Sequence, residues 1–123
     1  MVMKILLVDD DNFLRDMYAT KFTHGGHEVD AVDGAGLALS KLEQGIQYDV
    51  ILLDMVMPGM GGLELLNEIK TSYPNCGAKL VVLSNQGQEE DIREATEAGA
   101  TAYIIKAESI PSEVLTKVEA IVN

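Results

Sequence analysis

Five side chains in this 123-residue sequence have types suited to phosphoryl transfer: Asp9, Asp10, Asp54, Ser84 and Lys106. Asp9 and Asp10 open an acidic run with Asp11, directly after Lys4-Ile5-Leu6-Leu7-Val8. Asp54 follows Val50-Ile51-Leu52-Leu53, Ser84 follows Val81-Val82-Leu83, and Lys106 follows Tyr103-Ile104-Ile105. Singly, each has an ordinary explanation. Asp11 or Asn12 caps a helix, Ser84 satisfies a turn, and Lys106 ends a strand at the surface. Together they share one property: each stands at the carboxyl end of an apolar run. A carboxylate beside a buried run is costly unless paired. Three carboxylates at close range repel one another and any anion. A divalent cation relieves that repulsion, and hard oxygen ligands with waters completing an octahedron suit Mg²⁺ better than Zn²⁺. With Mg²⁺ and a protonated Lys106, the charges of Asp9, Asp10 and Asp54 are balanced and a phosphoryl donor can approach. The Asp54 carboxylate is then the nucleophile, with Mg²⁺ and Lys106 stabilising the phosphoryl oxygens. After transfer, the Ser84 hydroxyl can donate to a new anionic oxygen. That chemistry makes a switch rather than a turnover site. Tyr103, three residues before Lys106, is either a half-buried ring with a wet hydroxyl or a ring that changes rotamer when the Ser84 loop moves.

Positioning these groups requires a particular set of elements. Five short apolar runs occur at Lys4–Val8, His27–Val32, Asp49–Leu53, Lys79–Leu83 and Ala102–Ile105. Three are nearly continuous in Val, Ile and Leu, the pattern of parallel strands buried on both faces. Between and after them lie apolar residues at helical spacing: Leu14, Met17, Tyr18 and Phe22; Leu37, Leu39 and Leu42; Leu63, Leu65, Leu66 and Ile69; Ile92, Ala95 and Ala98; Val114, Leu115, Val118 and Val122. Pro111 with Ser112 and Glu113 marks the start of the last helix. Strand then helix, five times over, predicts an α/β fold with right-handed crossovers and helices on both faces of a parallel sheet. In such sheets the ligand crevice lies beyond the carboxyl ends of the strands, where the five residues stand. The Met57-Pro58-Gly59-Met60-Gly61-Gly62 stretch supplies turn geometry after Asp54 and leaves it accessible. The predicted fourth helix, about Gln88 to Ala98, is highly charged and carries few large apolar anchors, so it can shift at low cost.

Composition excludes several functions. The length predicts a single domain over residues 1–123, and 47% hydrophobic residues are too many for a disordered acidic tail. A net charge of −11 disfavours nucleic acid and anionic membrane surfaces. A lone Cys76 forms no internal disulfide. No apolar run approaches the ~20 residues of a membrane span, and the amino terminus runs into aspartates without a signal-peptide pattern. The expected location is the cytoplasm.

The same residues carry a family resemblance. The sequence resembles the receiver domain of two-component response regulators over essentially its full length. The matching motifs are Ile5-Leu6-Leu7-Val8-Asp9-Asp10-Asp11, Leu53-Asp54-Met55-Val56-Met57-Pro58-Gly59-Met60-Gly61-Gly62, Val81-Val82-Leu83-Ser84, and Gly99-Ala100-Thr101-Ala102-Tyr103-Ile104-Ile105-Lys106. The resemblance implies a flavodoxin-like (βα)5 three-layer sandwich with a five-stranded parallel sheet of order 2-1-3-4-5. It implies that Asp54 is phosphorylated by a sensor histidine kinase or phosphotransfer protein. Asp9, Asp10, Asp54 and the Met55 backbone carbonyl would hold Mg²⁺, Ser84 and Tyr103 would form a switch pair, and Lys106 would bind the phosphoryl group. The expected protein is a stand-alone receiver, a phosphoacceptor rather than an enzyme, with self-dephosphorylation at most. It would be a monomer or a weak phosphorylation-dependent dimer, signalling to an output protein through the surface of helix four, strand five and helix five.

Three positions depart from the family pattern. Ala107 replaces the proline usual after the lysine, and a cis bond before a non-proline residue costs about 3–4 kcal/mol, so the Lys106–Ala107 bond is open between cis and trans. Gly61 replaces a frequent Asp and is expected only to loosen its loop. Asn85 replaces the small residue usual after the switch serine and is expected to alter the lifetime of the phosphorylated state. Decay rates of wild type and Asn85→Ala check this, identical rates removing the idea. The alternative function is a Mg²⁺-dependent phosphohydrolase working through an aspartyl-phosphate. The haloacid dehalogenase type needs a second Asp two residues after its nucleophile, where this sequence has Val56. A flavodoxin-like nucleotide or flavin site would want a phosphate-cradling loop after strand one, and Asp9-Asp10-Asp11 stands there instead.

Overall fold

The computed structural model describes residues 1–123. The strands are β1 (Lys4–Val8), β2 (Glu28–Val32), β3 (Val50–Leu53), β4 (Lys79–Ser84) and β5 (Ala102–Ile105). The helices are α1 (Asn12–His24), α2 (Ala35–Glu43), α3 (Gly62–Ser72), α4 (Glu89–Glu97) and α5 (Pro111–Val122), with a single 3₁₀ turn over Lys106–Glu108. All strand pairs are parallel, and the sheet order is β2-β1-β3-β4-β5. The predicted α/β class, element order and sheet order are those observed. Strand limits move by one residue at three ends. β2 begins at Glu28 because the His27 N–H still closes the preceding turn onto the Phe22 carbonyl. β3 begins at Val50, and β4 extends to Ser84, which lies opposite Ile105.

Two cores flank the sheet. On one face, Leu6, Val8, Ile51, Leu53 and Val82 pack with Ala35, Ala38, Leu42, Leu65, Leu66 and Ile69. On the other, Ile5, Leu7, Leu52, Val81 and Leu83 pack with Tyr18, Phe22, Val114 and Val118. Alternate residues of one strand feeding opposite faces is the expected result of the pleat, and continuous apolar runs satisfy both faces at once. One expected stripe is corrected. Leu37 is 53% exposed, and α2 packs through Ala35, Ala38 and Leu42, with Leu39 half-buried. Spacings of three and four put those residues on one face, while Leu37 lies two residues past Ala35 and is rotated out. α4 buries only Ala95 and its cap residue Ala98, in keeping with its few apolar anchors.

Two buried polar links went unforeseen. Tyr48 is buried and donates its hydroxyl to Asp30 Oδ2 at 2.6 Å. Burial, then the Asp30 bond and charge, push this phenol well above its ordinary range. His27 is also buried: its Nδ1 accepts the Met3 N–H at 3.0 Å, so Nε2 carries the proton toward Glu119 Oε2 at 2.9 Å. That link ties the start of β2 to α5. No helix is long and apolar enough to cross a membrane.

Candidate functional site

The site is built by strand register. Val8 lies opposite Leu53, so the next residues, Asp9 and Asp54, emerge side by side at the carboxyl end of the sheet. Backbone bonds hold both in place: Asp9 N–H donates to the Val32 carbonyl at 3.2 Å and Asp54 N–H to the Val8 carbonyl at 3.1 Å. Asp11 then starts α1, its carboxylate accepting the Leu14 N–H at 3.0 Å. Asp11 is therefore the helix cap, and Asp10 is the second acid that faces Asp9. Carboxylate oxygens of Asp9, Asp10 and Asp54 all lie within 4.8 Å of one another, with Asp9 buried, the Asp54 side chain 13% exposed and Asp10 exposed. This set could hold a metal ion: the ligands are hard oxygens, and the exposed Asp10 leaves a side open for water.

Lys106 lies between the acids. Its Nζ donates to Asp9 Oδ2 and to Asp54 Oδ2, both at 2.9 Å, and its side chain is only 6% exposed. Burial works to lower its pKa, but the bonds and charges of Asp54 and Asp9 outweigh burial and hold the ammonium above its ordinary range. The expectation that Lys106 ends strand five is corrected: β5 stops at Ile105 and Lys106 opens the 3₁₀ turn. The Lys106–Ala107 bond is trans, for the chain has no cis peptide. The lysine reaches both acids in that form. The remaining carboxylate oxygens are engaged too, Asp9 Oδ1 by the Asp11 N–H at 2.9 Å and Asp54 Oδ1 by the Val56 N–H at 3.2 Å.

Ser84 and Tyr103 form a second group. The buried Ser84 hydroxyl accepts the Gln86 N–H at 3.2 Å, while Tyr103 donates its hydroxyl to the Gln86 carbonyl at 2.6 Å. Both therefore grip the loop between β4 and α4. Burial raises the Tyr103 pKa, with the nearby Ser84 hydroxyl pulling the other way. No hydrogen bond joins Ser84 to Asp54 or Lys106. Of the predicted residues, Asp9, Asp10, Asp54 and Lys106 are brought together, and Ser84 and Tyr103 meet one another across Gln86.

The loop after Asp54 is tightly wound. The Met55 carbonyl accepts the Gly62 N–H at 3.0 Å and keeps a second lone pair. A Cβ at Gly62 would collide with the Asp54 carbonyl oxygen and lie 2.7 Å from Met55 Cα. A Cβ at Gly61 would lie 3.2 Å from the Met55 carbonyl oxygen. Gly61 therefore does more than loosen the loop: it is the N-cap of α3 and sits against the carbonyl of Met55. Gly62→Ala is expected to cost about 2–4 kcal/mol, because the backbone of Asp54 must shift to admit the methyl, and Gly61→Ala less. Thermal unfolding of both variants checks this, and a Gly62→Ala melting curve matching wild type would remove the close-approach argument.

Arg15 was not anticipated. Its guanidinium donates to the Asp9 carbonyl at 2.8 Å and also to the Asn12 side-chain oxygen, bracing the acidic turn from α1. The one available signal was its place one helical turn after the Asp11 cap.

Comparison with known proteins agrees with this geometry. The chain is 35% identical over 107 residues to the two-component response regulator PhoP of Pseudomonas aeruginosa, covering 85% of this chain and 45% of that one. It is 36% identical over 105 residues to chemotaxis protein CheY of Thermotoga maritima, covering 84% of each. The chain thus spans less than half the length of the first relative and most of the second. Among solved structures, the CheY-like response regulator receiver domain protein from Methanospirillum hungatei superposes with a TM-score of 0.88 at 30% identity, covering 99% of this chain and 94% of that one. Residues 5–119, which include every acid, the serine and the lysine of the site, match the response regulator receiver domain, and the chain belongs to that family.

Proposed function

We propose that residues 1–123 act as one receiver unit in which Asp54 accepts a phosphoryl group from a sensor histidine kinase or phosphotransfer protein. The observation that carries this reading is the pairing of Asp54 with Lys106 beside a carboxylate group that fits a divalent cation. Asp9, Asp10, Asp54 and the Met55 carbonyl would hold Mg²⁺, which when bound would supply positive charge for the phosphoryl oxygens. Hard oxygen donors with an open side fit that ion. An Asp54 carboxylate oxygen forms the new bond to phosphorus while the bond to the donor nitrogen breaks, its electron pair leaving on the imidazole. Lys106 keeps its proton and turns an N–H toward the transferred oxygens. Ser84 exchanges its contact with the Gln86 N–H for a phosphoryl oxygen, drawing in the loop that Tyr103 also holds. The lightly anchored α4 moves with that loop, and the α4-β5-α5 surface passes the change to an output protein. The function is a switch and not an enzyme, with self-hydrolysis as its only turnover. Strong acidity suits a basic face on a partner and not nucleic acid.

Incubation with acetyl phosphate and Mg²⁺, followed by intact-mass measurement, tests the reading. One phosphoryl adduct is expected, and none in EDTA. An adduct that forms equally well in EDTA would overturn the cation assignment, and the absence of any adduct would overturn the phosphoacceptor reading.

A further inference from the structure

Of the three acids, Asp10 is the one the protein holds least directly. Asp9 and Asp54 each accept one bond from Lys106 and one from a backbone N–H. Asp10 is exposed, and neither its carboxylate nor its own N–H and carbonyl forms a hydrogen bond within the protein. Its carboxylate nevertheless lies within 4.8 Å of the other two. That placement depends on the two peptide groups that flank Asp10. The peptide after it is held by the Asp11 N–H, which donates to Asp9 Oδ1 at 2.9 Å. The peptide before it is held by the Asp9 carbonyl, which accepts an Arg15 guanidinium N–H at 2.8 Å. No other donor reaches that carbonyl.

Arg15 is itself firmly set. Its backbone N–H donates to the Asp11 carbonyl at 2.9 Å, in the first turn of a helix that Asp11 also caps. The planar guanidinium sends a second N–H to the Asn12 side-chain oxygen, so one anchor fixes the direction of the other. The bond to the Asp9 carbonyl is charge-assisted and partly buried.

We infer that Arg15 is a positioning residue of the phosphoryl site, holding the Asp9–Asp10 peptide so that the Asp10 carboxylate stays within reach of those of Asp9 and Asp54. The inference rests on the cation assignment above and adds a residue outside the ligand set. Arg15 bonds to none of the three carboxylates and acts only through the peptide. With its bond gone, no hydrogen bond fixes that peptide plane, and Asp10 is free to turn toward solvent. Outer partners that orient metal ligands typically carry about ten- to hundredfold in metal affinity. The charge of Arg15 works the other way, because a guanidinium near the acids repels a second cation. Loss of the charge alone would tighten cation binding, and loss of the clamp weakens it, so the sign of the change separates the two.

The test measures Mg²⁺ binding to the unphosphorylated protein by isothermal titration calorimetry, with thermal unfolding in EDTA to verify the fold. Arg15→Gln should weaken Mg²⁺ binding about tenfold and still melt in one cooperative transition. Arg15→Lys keeps the charge but loses the fork, and it should weaken binding about threefold. In an Asp10→Asn background, adding Arg15→Gln should change binding by less than about twofold, because the clamp no longer has a carboxylate to place. Unchanged or tighter binding in folded Arg15→Gln, unchanged binding in Arg15→Lys, or an equal loss with and without the Asp10 carboxylate would overturn this inference and leave the cation assignment standing. A wild type that takes up no Mg²⁺ would overturn the cation assignment and this inference with it.

Discussion

Asp54→Asn is expected to take up no phosphoryl group from acetyl phosphate and Mg²⁺, where the proposed function expects one adduct on wild type. The reason lies in a single atom. The amide nitrogen that replaces one carboxylate oxygen has no free lone pair for phosphorus, and the remaining carbonyl oxygen is a poor nucleophile. The substitution is nearly isosteric. It removes one of the carboxylates within 4.8 Å of one another and turns the ion pair with Lys106 into a bond from the ammonium to an uncharged amide. Cation affinity should therefore fall along with the adduct. The variant should nevertheless fold, because Asp54 N–H still pairs with the Val8 carbonyl. An adduct of undiminished yield in Asp54→Asn would move the acceptor to another residue.

Lys106→Met gives the second large effect, and here stability and chemistry change together. The ammonium bonds to Asp9 and Asp54, whose side chains are 2% and 13% exposed. Removing the cation that pairs with both carboxylates leaves two neighbouring acids poorly solvated, which should cost about 2–3 kcal/mol in EDTA. For a domain of this size that is roughly 5–10 °C in melting temperature. Added Mg²⁺ should narrow the gap, since a bound cation replaces the missing charge and binds only the folded site. The pH dependence follows from the raised pKa of Lys106. Its stabilising contribution is complete below its ordinary value of 10.5 and is lost as pH rises through the raised value. The wild-type advantage over Lys106→Met should thus shrink at alkaline pH. Equal melting temperatures in EDTA at neutral pH would show that the pair contributes nothing to the fold.

Much of the molecule was legible because its signals are local. Five apolar runs with intervening helical spacing state the α/β class, and strands buried on both faces leave no alternation to misread. The acids and the lysine were readable because each follows such a run, and a parallel sheet puts every strand's carboxyl end on one edge. The helix cap at Asp11 was legible for the same local reason. Where the reading went astray, the deciding contact was distant or rotational. Leu37 looked like part of a stripe, but the start of α2 at Ala35 sets the phase that turns it outward. Gly61 looked like slack, and the Met55 carbonyl that faces it comes from the strand side of the loop.

The sequence by itself determined the order of elements and the chemical types at the strand ends, because periodicity and residue type are properties of neighbours along the chain. Tertiary structure alone decided how those groups meet. Register between β1 and β3 places Asp9 beside Asp54, a trans bond and a 3₁₀ turn carry Lys106 across to both, and Arg15 braces the turn from a helix. Hydrogen bonds and cavities depend on atoms far apart in the chain, and their geometry exists only once the sheet and its two helical layers have closed.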